Sequence, residues 1–399
     1  MKSTDEAATD GLVELKIDKW VQNGLTLSHH NGNTIFVHGA LPGETVQAEI
    51  VKMRAQHSFA VVRKVLLPAS NRVESDCLVF PACGGCSFRH ISYEEELGLK
   101  LSLLQEHKFL APYLSDLKVH SGPRNEYRNQ VRLHEQNGRR GFFALHTNDV
   151  VSLPAGGCRN LSPALNKMIG SRPDLVFNDR LTADSDANKD ARSISLPDVD
   201  FSWRMPAQGF AQSNRFLFSS WLKTLSDMAL RVRNDLPGSD LDAVYEFFCG
   251  TGLIGAAILL RRAQKTGIKE AIFYGAESHG PAIEKGKSNF RAAGLKARFR
   301  STDLYRANVA EYLSQQFPAP GKDSLLIANP PRAGLKDKLC QWIQRSASQF
   351  LIYSSCNPQT LNRDLGILQQ GGFQIAELHC FDFFPGTPHS ELVTLLRRA

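Results

Sequence analysis

The spacing of apolar and polar positions changes twice along the chain and divides it into three segments. In residues 10–68, short runs rich in β-branched and aromatic residues, such as NTIFVHGA, TVQAEIV and HSFAVVRKVL, alternate with the turn sequences HNGN and LPGE. Several short strands without a helical period are typical of a small β-barrel. We therefore expect an N-terminal barrel of the OB-like kind.

The second segment, residues 69–205, mixes both kinds of pattern and predicts an α+β unit. The stretch YEEELGLKLSLLQEHKFL favours a helix, whereas NQVRLHE and RRGFFALH favour strands. Residues 179–200 turn polar (DRLTADSDANKDARS) and indicate a loop or linker.

The third segment, residues 206–399, alternates strands with helices. The runs DAVYEFFCG, AIFYGAE, LLIANPP and FLIYSSC predict strands, and LIGAAILLRRA predicts the helix behind the first of them. This alternation predicts an α/β fold with a doubly wound, Rossmann-like parallel sheet. Ligands of such sheets bind at the carboxyl ends of the strands.

A glycine-rich turn follows the first of these strands. Gly250 and Gly252 place tight backbone beside a ligand at a helix N-terminus. With Gly255 the run GTGLIG also fits G-x-G-x-x-G, so the turn alone does not separate a nicotinamide enzyme from a methyltransferase. Glu277 ends the next strand, where a carboxylate can accept hydrogen bonds from ribose hydroxyls. Asp303 follows a third strand, within reach of an adenine.

Polar side chains also follow the later strands. Asn329 precedes two prolines and Arg332 in a loop whose geometry proline makes rigid. Cys356 comes directly after an apolar strand, in a position expected to favour a reactive thiolate. His389 and Glu391 precede the final apolar strand, and either is a candidate base.

Four of the eight cysteines form one constellation, Cys77-x5-Cys83-x2-Cys86 with Cys158 far downstream. Four thiolates suit zinc or an iron–sulfur cluster, and the spacing alone does not decide between them. The N-terminus carries no apolar leader, and no run is long enough to cross a bilayer. We expect a soluble cytoplasmic protein without disulfides, and nothing indicates an obligate protein partner.

The net charge of +7 is mild, but residues 118–172 hold nine Lys/Arg against three Asp/Glu. Such a patch suits contacts with RNA phosphates. Residues 1–70 are balanced, with seven positive and seven negative side chains. The charge of the N-terminal segment therefore gives no indication of RNA binding. We expect the middle segment to contribute contacts with RNA phosphates.

In wording and order the chain resembles the RNA 5-methyluridine methyltransferase family, and in particular its members with a TRAM domain and an iron–sulfur cluster that act on 23S rRNA. The resemblance extends almost from end to end, through VHGALPGE, CGGC, EYRNQVRLH, GFAQSN, NPPRAGL, SSCNPQTLNRDL and TPHSE. It implies S-adenosylmethionine as the methyl donor, a [4Fe–4S] cluster on the four cysteines, and no membrane association.

The resemblance also implies residue roles. Cys356 attacks C6 of the uracil, C5 then takes the methyl group, and Glu391 removes the C5 proton. The implied cofactor contacts are Gln212, Phe248, Gly250, Gly252, Glu277, Asp303 and Asn329.

Three positions depart from the family's commonest wording: Glu246 and Asn329 replace aspartates, and Leu253 replaces a polar residue. Three alternatives therefore stay open. They are a tRNA uridine methyltransferase, an RNA cytosine-C5 methyltransferase, and an RNA-binding assembly factor with impaired catalysis.

Overall fold

The structure, a computed structural model, describes residues 12–171, 180–182, 191–206, 212–234, 241–267 and 270–398. Residues 10 and 11 of the predicted barrel, much of the predicted linker and the start of the GFAQSN motif lie outside these ranges.

The N-terminal segment forms a six-stranded sheet in the order β1-β5-β6-β4-β3-β2. Its strands are β1 (Leu12–Lys16), β2 (Lys19–Val21), β3 (Leu25–His30), β4 (Asn33–His38), β5 (Thr45–Met53) and β6 (His57–Leu67). The sheet curls, since Ser28 Oγ on β3 donates to the Lys16 carbonyl of β1 across 2.8 Å. The short strands are present as predicted, whereas the assignment of this sheet to the TRAM type stays a prediction.

The middle segment contains short strands, two helices and three small sheets, β11-β10-β9, β12-β8 and β13-β14. Its elements are α1 (Tyr93–Leu104), β7 (Lys118–His120), β8 (Gln130–Arg132), β9 (His134–Gln136), β10 (Arg139–Phe143), β11 (Val150–Ser152), α2 (Pro163–Ser171), β12 (Arg180–Thr182), β13 (Ala191–Ser195) and β14 (Ser202–Pro206).

Two expectations for the middle segment need correction. The predicted helix ends at Leu104, before the end of the run that suggested it. Its start is set by Ser92, whose hydroxyl accepts from the Glu95 amide at 3.1 Å in an N-cap. The polar linker contains strands as well, because β13 pairs with β14 in register from Ala191 to Ser195.

The C-terminal segment builds most of an eight-stranded sheet in the order β17-β16-β15-β18-β19-β21-β20-β7. Its elements are α3 (Phe218–Asn234), β15 (Ala243–Phe247), α4 (Leu253–Thr266), β16 (Ile272–Glu277), α5 (Gly280–Ala292), β17 (Lys296–Ser301), α6 (Val309–Gln316), β18 (Ser324–Ala328), α7 (Lys336–Arg345), β19 (Phe350–Ser355), α8 (Pro358–Gln370), β20 (Phe373–Phe381) and β21 (Glu391–Arg398).

Helices cover both faces of this sheet. Val244 and Ile352 belong to the core with α3, α4 and α5, whereas Tyr245 and Leu351 belong to the core with α6, α7 and α8. The predicted doubly wound α/β fold is confirmed. The expectation of a wholly parallel sheet is wrong, because β21 runs antiparallel to both β19 and β20. The loop that joins β20 to β21 contains no crossover helix, and a short connection of this kind produces antiparallel neighbours.

The middle segment also enters this sheet. Strand β7 pairs in parallel with β20 and forms the edge of the sheet beyond it. The division at residues 205 and 206 is therefore no boundary between separate sheets, and the three-domain organisation stays a prediction. Within the ranges given above, no helix combines the length and apolar character needed to span a bilayer.

Candidate active site

A cavity of about 760 Å³ lies at the carboxyl ends of the parallel strands. The loops after β15, β16, β17, β18 and β19 all contribute to its lining. The structure brings together these residues singled out in the sequence: Gln212, Phe248, Gly250, Glu277, Asp303, Asn329, Cys356 and Glu391. The carboxyl ends of the strands thus bring residues from distant parts of the chain together in one cavity.

The glycine-rich turn is held by the carboxylate of Glu277. One oxygen accepts from the Gly250 amide at 3.0 Å, and the other accepts from the amides of Ser278 and His279 at 2.7 and 2.8 Å. Gly250 has a φ of 56°, and a Cβ there would meet no protein atom within 4 Å. Since Gly250 lines the cavity, its backbone borders open space that a ligand can fill.

Gly252 has a packing role in the structure, and its part in cofactor binding stays a prediction. It is not among the residues that line the cavity, and a Cβ on it would lie 2.7 Å from the Phe290 ring. Its φ of 75° at the start of α4 requires the left-handed region, so this glycine serves the turn and the packing behind it.

Glu246 is buried beneath the same turn. Its carboxyl accepts from the Gly255 amide in the first turn of α4 at 2.8 Å. Burial raises the pKa of Glu246 to about 8, although that hydrogen bond opposes the shift. The departure from aspartate therefore places a longer side chain against the first turn of α4, where its carboxyl accepts from a backbone amide.

Two aromatic rings line the cavity beside Asp303. The rings of Phe248 and Tyr305 lie 5.3 Å apart. Tyr305 donates its hydroxyl to the Gly334 carbonyl at 2.9 Å, and its amide donates to Asp303 at 2.9 Å. Tyr305 was missed in the sequence, although it follows Asp303 in the same STDLY motif.

The loops that carry Arg332 and Cys356 are bonded to each other. The Arg332 carbonyl accepts from the Asn357 side-chain amide and from the Thr360 hydroxyl, each at 3.0 Å. Asn357 also caps α8, because its side-chain oxygen accepts from the Gln359 amide at 3.1 Å. Cys356 is thereby fixed between the end of β19 and the start of α8.

The electrostatic setting of Cys356 differs from the expected one. Burial raises the pKa of the Cys356 thiol to about 11, and the Glu391 carboxylate adds to the rise. Arg332 and a backbone hydrogen bond oppose it. Burial therefore favours the protonated thiol at neutral pH. Arg332, named in the sequence as part of a rigid loop, is the group that favours the thiolate.

Glu391 reaches the cavity because β21 is antiparallel. This direction places Leu392 opposite Ser355, so the start of β21 lies beside the end of β19. Burial raises the pKa of Glu391 to about 7, opposed by a hydrogen bond from Ser354. Of the two candidate bases, Glu391 lines the cavity and His389 does not.

Comparison with known proteins identifies the family. The chain is 30% identical over 417 residues to an uncharacterized RNA methyltransferase of Leptospira interrogans, covering 97% of this chain and 95% of the relative. The chain belongs to the RNA methyltransferase family. Residues 322–399 of this RNA methyltransferase also match the model of the tRNA (Uracil-5-)-methyltransferase family.

Two further proteins match this chain over nearly their whole length, at lower sequence identity. The 23S rRNA (uracil(1939)-C(5))-methyltransferase of Shewanella piezotolerans is 26% identical over 437 residues, which cover 93% of this chain and 92% of the relative. The structure of the Pyrococcus abyssi tRNA (uracil-54, C5)-methyltransferase, solved with S-adenosyl-L-homocysteine, matches with a TM-score of 0.65 and 19% identity. That match covers 96% of this chain and 99% of the other. At this identity it supports the fold.

The four cysteines of this RNA methyltransferase also converge. A small cavity of about 50 Å³ is lined by Cys77, Cys83, Cys86 and Cys158 together with apolar side chains. Asn160 donates its side-chain amide to Cys86 Sγ at 3.2 Å, and the Gly85 amide donates to Cys83 Sγ at 3.4 Å. In the part of the chain that the structure describes, no three His, Cys, Asp or Glu side chains have the spacing to hold a metal ion.

A buried guanidinium lies beside these thiols. Arg89 is 2% exposed and interacts electrostatically with Cys86 and Cys158. Its Nε has no partner with good hydrogen-bond geometry among the described residues, although the guanidinium lies close enough to Cys86 for that thiol to raise its pKa. One terminal nitrogen donates to Asp76 at 3.0 Å. A buried cation suits a neighbour that carries negative charge, as thiolates do.

Proposed function

We propose that this RNA methyltransferase transfers a methyl group from S-adenosylmethionine to C5 of a uridine, with 23S rRNA as its substrate. The observation that carries the proposal is the meeting of Cys356 and Glu391 on one cavity, through the antiparallel pairing of β19 with β21. Residues 322–399, which match the model of the uracil-5-methyltransferase family, include both Cys356 and Glu391. The match to the Shewanella 23S rRNA enzyme supports the choice of RNA.

The cavity fits S-adenosylmethionine on the evidence of its lining. Glu277 presents a fixed carboxylate for ribose hydroxyls, and Phe248 and Tyr305 present rings for a base. Open space borders Gly250, where a side chain would intrude. When bound there, S-adenosylmethionine supplies an electrophilic methyl group; Gln212 and Asn329 are further contacts in this proposal.

Cys356 and Glu391 then perform separate steps. The Cys356 thiolate forms a bond to C6 of the uracil, and the ring electrons make C5 nucleophilic toward the methyl group. Glu391 takes the proton from C5, the C6–S bond breaks, and the thiolate leaves with its electron pair. Arg332 contacts Cys356 and lowers the energy of the thiolate. The proton released by each turnover therefore passes through the Glu391 carboxyl.

Asn329 is compatible with uridine in this proposal. It lines the cavity at the end of β18, beside the rigid pair of prolines. Its side-chain oxygen can accept from N3–H of uracil while its amide donates to O4.

Rings and cations on the N-terminal sheet support contact with unpaired RNA. Phe59 lies 4.0 Å from the exposed His146 ring and 5.2 Å from His57, measured between ring centroids. Lys52 and Arg54 stand close enough to lower the pKa of His146, after the larger effect of burial. Partly exposed rings beside cations are typical of surfaces that stack bases and contact phosphates.

For the cysteine site we propose a [4Fe–4S] cluster. The four thiols line one cavity with the buried Arg89 guanidinium beside it, and a thiolate-ligated cluster would satisfy that charge. Cluster and zinc sites both use four thiolates, and the cluster is preferred here because CGGC with a distant fourth cysteine resembles the cluster site of the family named in the sequence analysis. Methyl transfer requires no redox step, so the proposed role is structural.

Covalent capture tests the function. The protein should be incubated with S-adenosylmethionine and a 23S rRNA fragment containing 5-fluorouridine, whose C5 carries no removable proton. We expect a covalent protein–RNA adduct, absent in Cys356→Ala, and 5-methyluridine in the unsubstituted fragment. The absence of both the adduct and 5-methyluridine would refute the proposal. A product in tRNA, or 5-methylcytidine, would correct the substrate.

A further inference from the structure

Ser354 connects the core of the sheet to the proposed base. It is the second-last residue of β19 and is 1% exposed. Its hydroxyl donates to Glu391 Oε1 across 2.5 Å. On its other side, the indole N–H of Trp221, from α3, donates to Ser354 Oγ at 3.1 Å. The three buried side chains therefore form one hydrogen-bonded line from α3 to β21.

The direction of this line follows from the chemistry of its first member. An indole nitrogen donates and never accepts, whereas a hydroxyl has one proton and two lone pairs. Because Trp221 occupies a lone pair of Ser354, the single proton of the hydroxyl remains for Glu391. An ionised carboxylate can only accept, so this arrangement suits the charged form of Glu391.

We propose that Ser354, oriented by Trp221, is a positioning residue that holds Glu391 as an ionised carboxylate ready to take the C5 proton. This inference rests on the function proposed above. Ser354 does not line the cavity and acts through Glu391 in that function, and Trp221, which lines the cavity, acts on Glu391 through Ser354.

Among the groups around Glu391, Ser354 donates the hydrogen bond that lowers the pKa of the carboxyl. Cys356, at the end of β19, and Cys380, on β20, are the titratable neighbours whose own pKa responds to Glu391. Arg332, from the loop after β18, faces Cys356. Burial raises the pKa of Glu391 to about 7, and the hydrogen bond from Ser354 lowers it. Removal of the hydroxyl should therefore leave a carboxyl that ionises only at higher pH.

The pH profile of methyl transfer tests this role. Single-turnover rates on a 23S rRNA fragment should be measured from about pH 5 to pH 9 for wild type, Ser354→Ala and Ser354→Thr. We expect the acid limb of Ser354→Ala to move up by about one pH unit, with roughly tenfold loss below the limb and recovery above it. Ser354→Thr keeps a hydroxyl and should keep the wild-type midpoint.

Ser226→Ala provides the matched control. Ser226 is a buried serine on the same helix as Trp221, and its hydroxyl donates to the Leu222 carbonyl at 2.9 Å. Its loss should leave the pH midpoint unchanged. An equal loss of rate at every pH in Ser354→Ala, with an unmoved midpoint, would overturn the inference.

Thermal unfolding gives a readout that does not depend on activity. The folded-state pKa of Glu391 lies above the ordinary value of 4.5. The stability that Glu391 contributes to the protein is therefore lost as pH rises through that folded-state pKa. Ser354→Ala enlarges this loss, so its deficit in Tm against wild type should grow from pH 5 to pH 9. A constant deficit would contradict the inference.

Trp221→Phe is the second variant, for the case in which Ser354→Ala fails to fold. Phenylalanine fills most of the indole volume and lacks the N–H, so the acid limb of the pH profile should again move to higher pH.

If wild type makes no 5-methyluridine while the Tm deficit of the variants grows with pH, the proposed function fails and the hydrogen-bonded line stands. If wild type methylates with unmoved variant midpoints, only the inference fails.

Discussion

The backbone of Gly386 lies against the sulfur of Cys86: a methyl group on Gly386 would stand 3.5 Å from that Sγ. The Gly386 carbonyl accepts from the amides of Ser87 and Phe88 at 2.6 and 3.1 Å. Gly386 belongs to the loop between β20 and β21 that ends at Glu391. The backbone next to Cys86 is therefore hydrogen-bonded to the loop that leads to the proposed catalytic base, Glu391.

Gly386→Ala should impair both stability and methyl transfer. The φ of 80° costs an alanine about 1 kcal/mol, and relief of this strain would shift the loop between β20 and β21, whose new methyl group would lie in contact with Cys86 Sγ. Displacement of the Glu391 loop should reduce the single-turnover rate by roughly tenfold to a hundredfold. Gly138→Ala is the matched control, since Gly138 has a φ of 74° and nothing within 4 Å of its Cβ. Equal rates in both variants would refute this coupling.

Glu391→Gln should separate methyl transfer from proton removal. Glutamine retains the shape and accepts from Ser354, but it cannot take the C5 proton. We expect product formation to fall by about two to four orders of magnitude, while a Cys356–RNA adduct accumulates on natural uridine RNA. Denaturing gels measure that adduct. A Glu391→Gln protein that releases 5-methyluridine at the wild-type rate would assign the base elsewhere.

The buried Glu246 should make stability fall with rising pH. Its folded pKa of about 8 lies above the ordinary 4.5, so the folded state binds the proton more tightly than the unfolded state does. The contribution is fully present below about pH 4.5 and is lost as pH rises through about 8. Glu246→Gln should reduce this slope in Tm against pH, with a free-energy effect on the order of 5 kcal/mol over the whole range.

The exposed Glu284 on α5, whose side chain is 70% exposed, provides the control for Glu246. Glu284→Gln should keep the wild-type slope. Glu246 is favoured as the source of the pH dependence only if the two variants differ; identical slopes would exclude it.

Protein purified without oxygen should contain iron and sulfide on the four cysteines. Cys86→Ser should lose most of both, whereas Cys340→Ala, at a buried cysteine on α7, should keep them. Because Gly386 packs on Cys86, chelation of the iron should also speed proteolysis of residues 382–390. Stoichiometric zinc without iron would refute the cluster.

Phe59→Ala should weaken RNA binding through lost stacking. The expected cost is about 1–3 kcal/mol, and Lys52→Ala should reduce the dependence of binding on salt. Lys287→Ala, on the surface of α5, should change neither quantity. Filter binding across salt concentrations measures both effects. An unchanged affinity in Phe59→Ala would remove this surface from the RNA interface.

Much of the site could be predicted from the sequence, because its residues follow apolar runs. Periodicity predicts the strands, and parallel strands end at one edge, so Glu277, Asn329 and Cys356 were expected to lie near one another before any coordinates. The spacing of Cys77, Cys83 and Cys86 likewise predicts a shared site. These features depend on local pattern and on a general rule of α/β sheets.

Tertiary structure alone decided the rest. The direction of β21 brings Glu391 to Cys356, and that direction depends on long-range pairing, which no local pattern records. The pKa of Cys356, raised to about 11, depends on burial and on partners far apart in the chain. The same holds for Ser354, an ordinary strand residue by sequence. It touches Glu391 only because a packed helix and an antiparallel strand bring Trp221, Ser354 and Glu391 together.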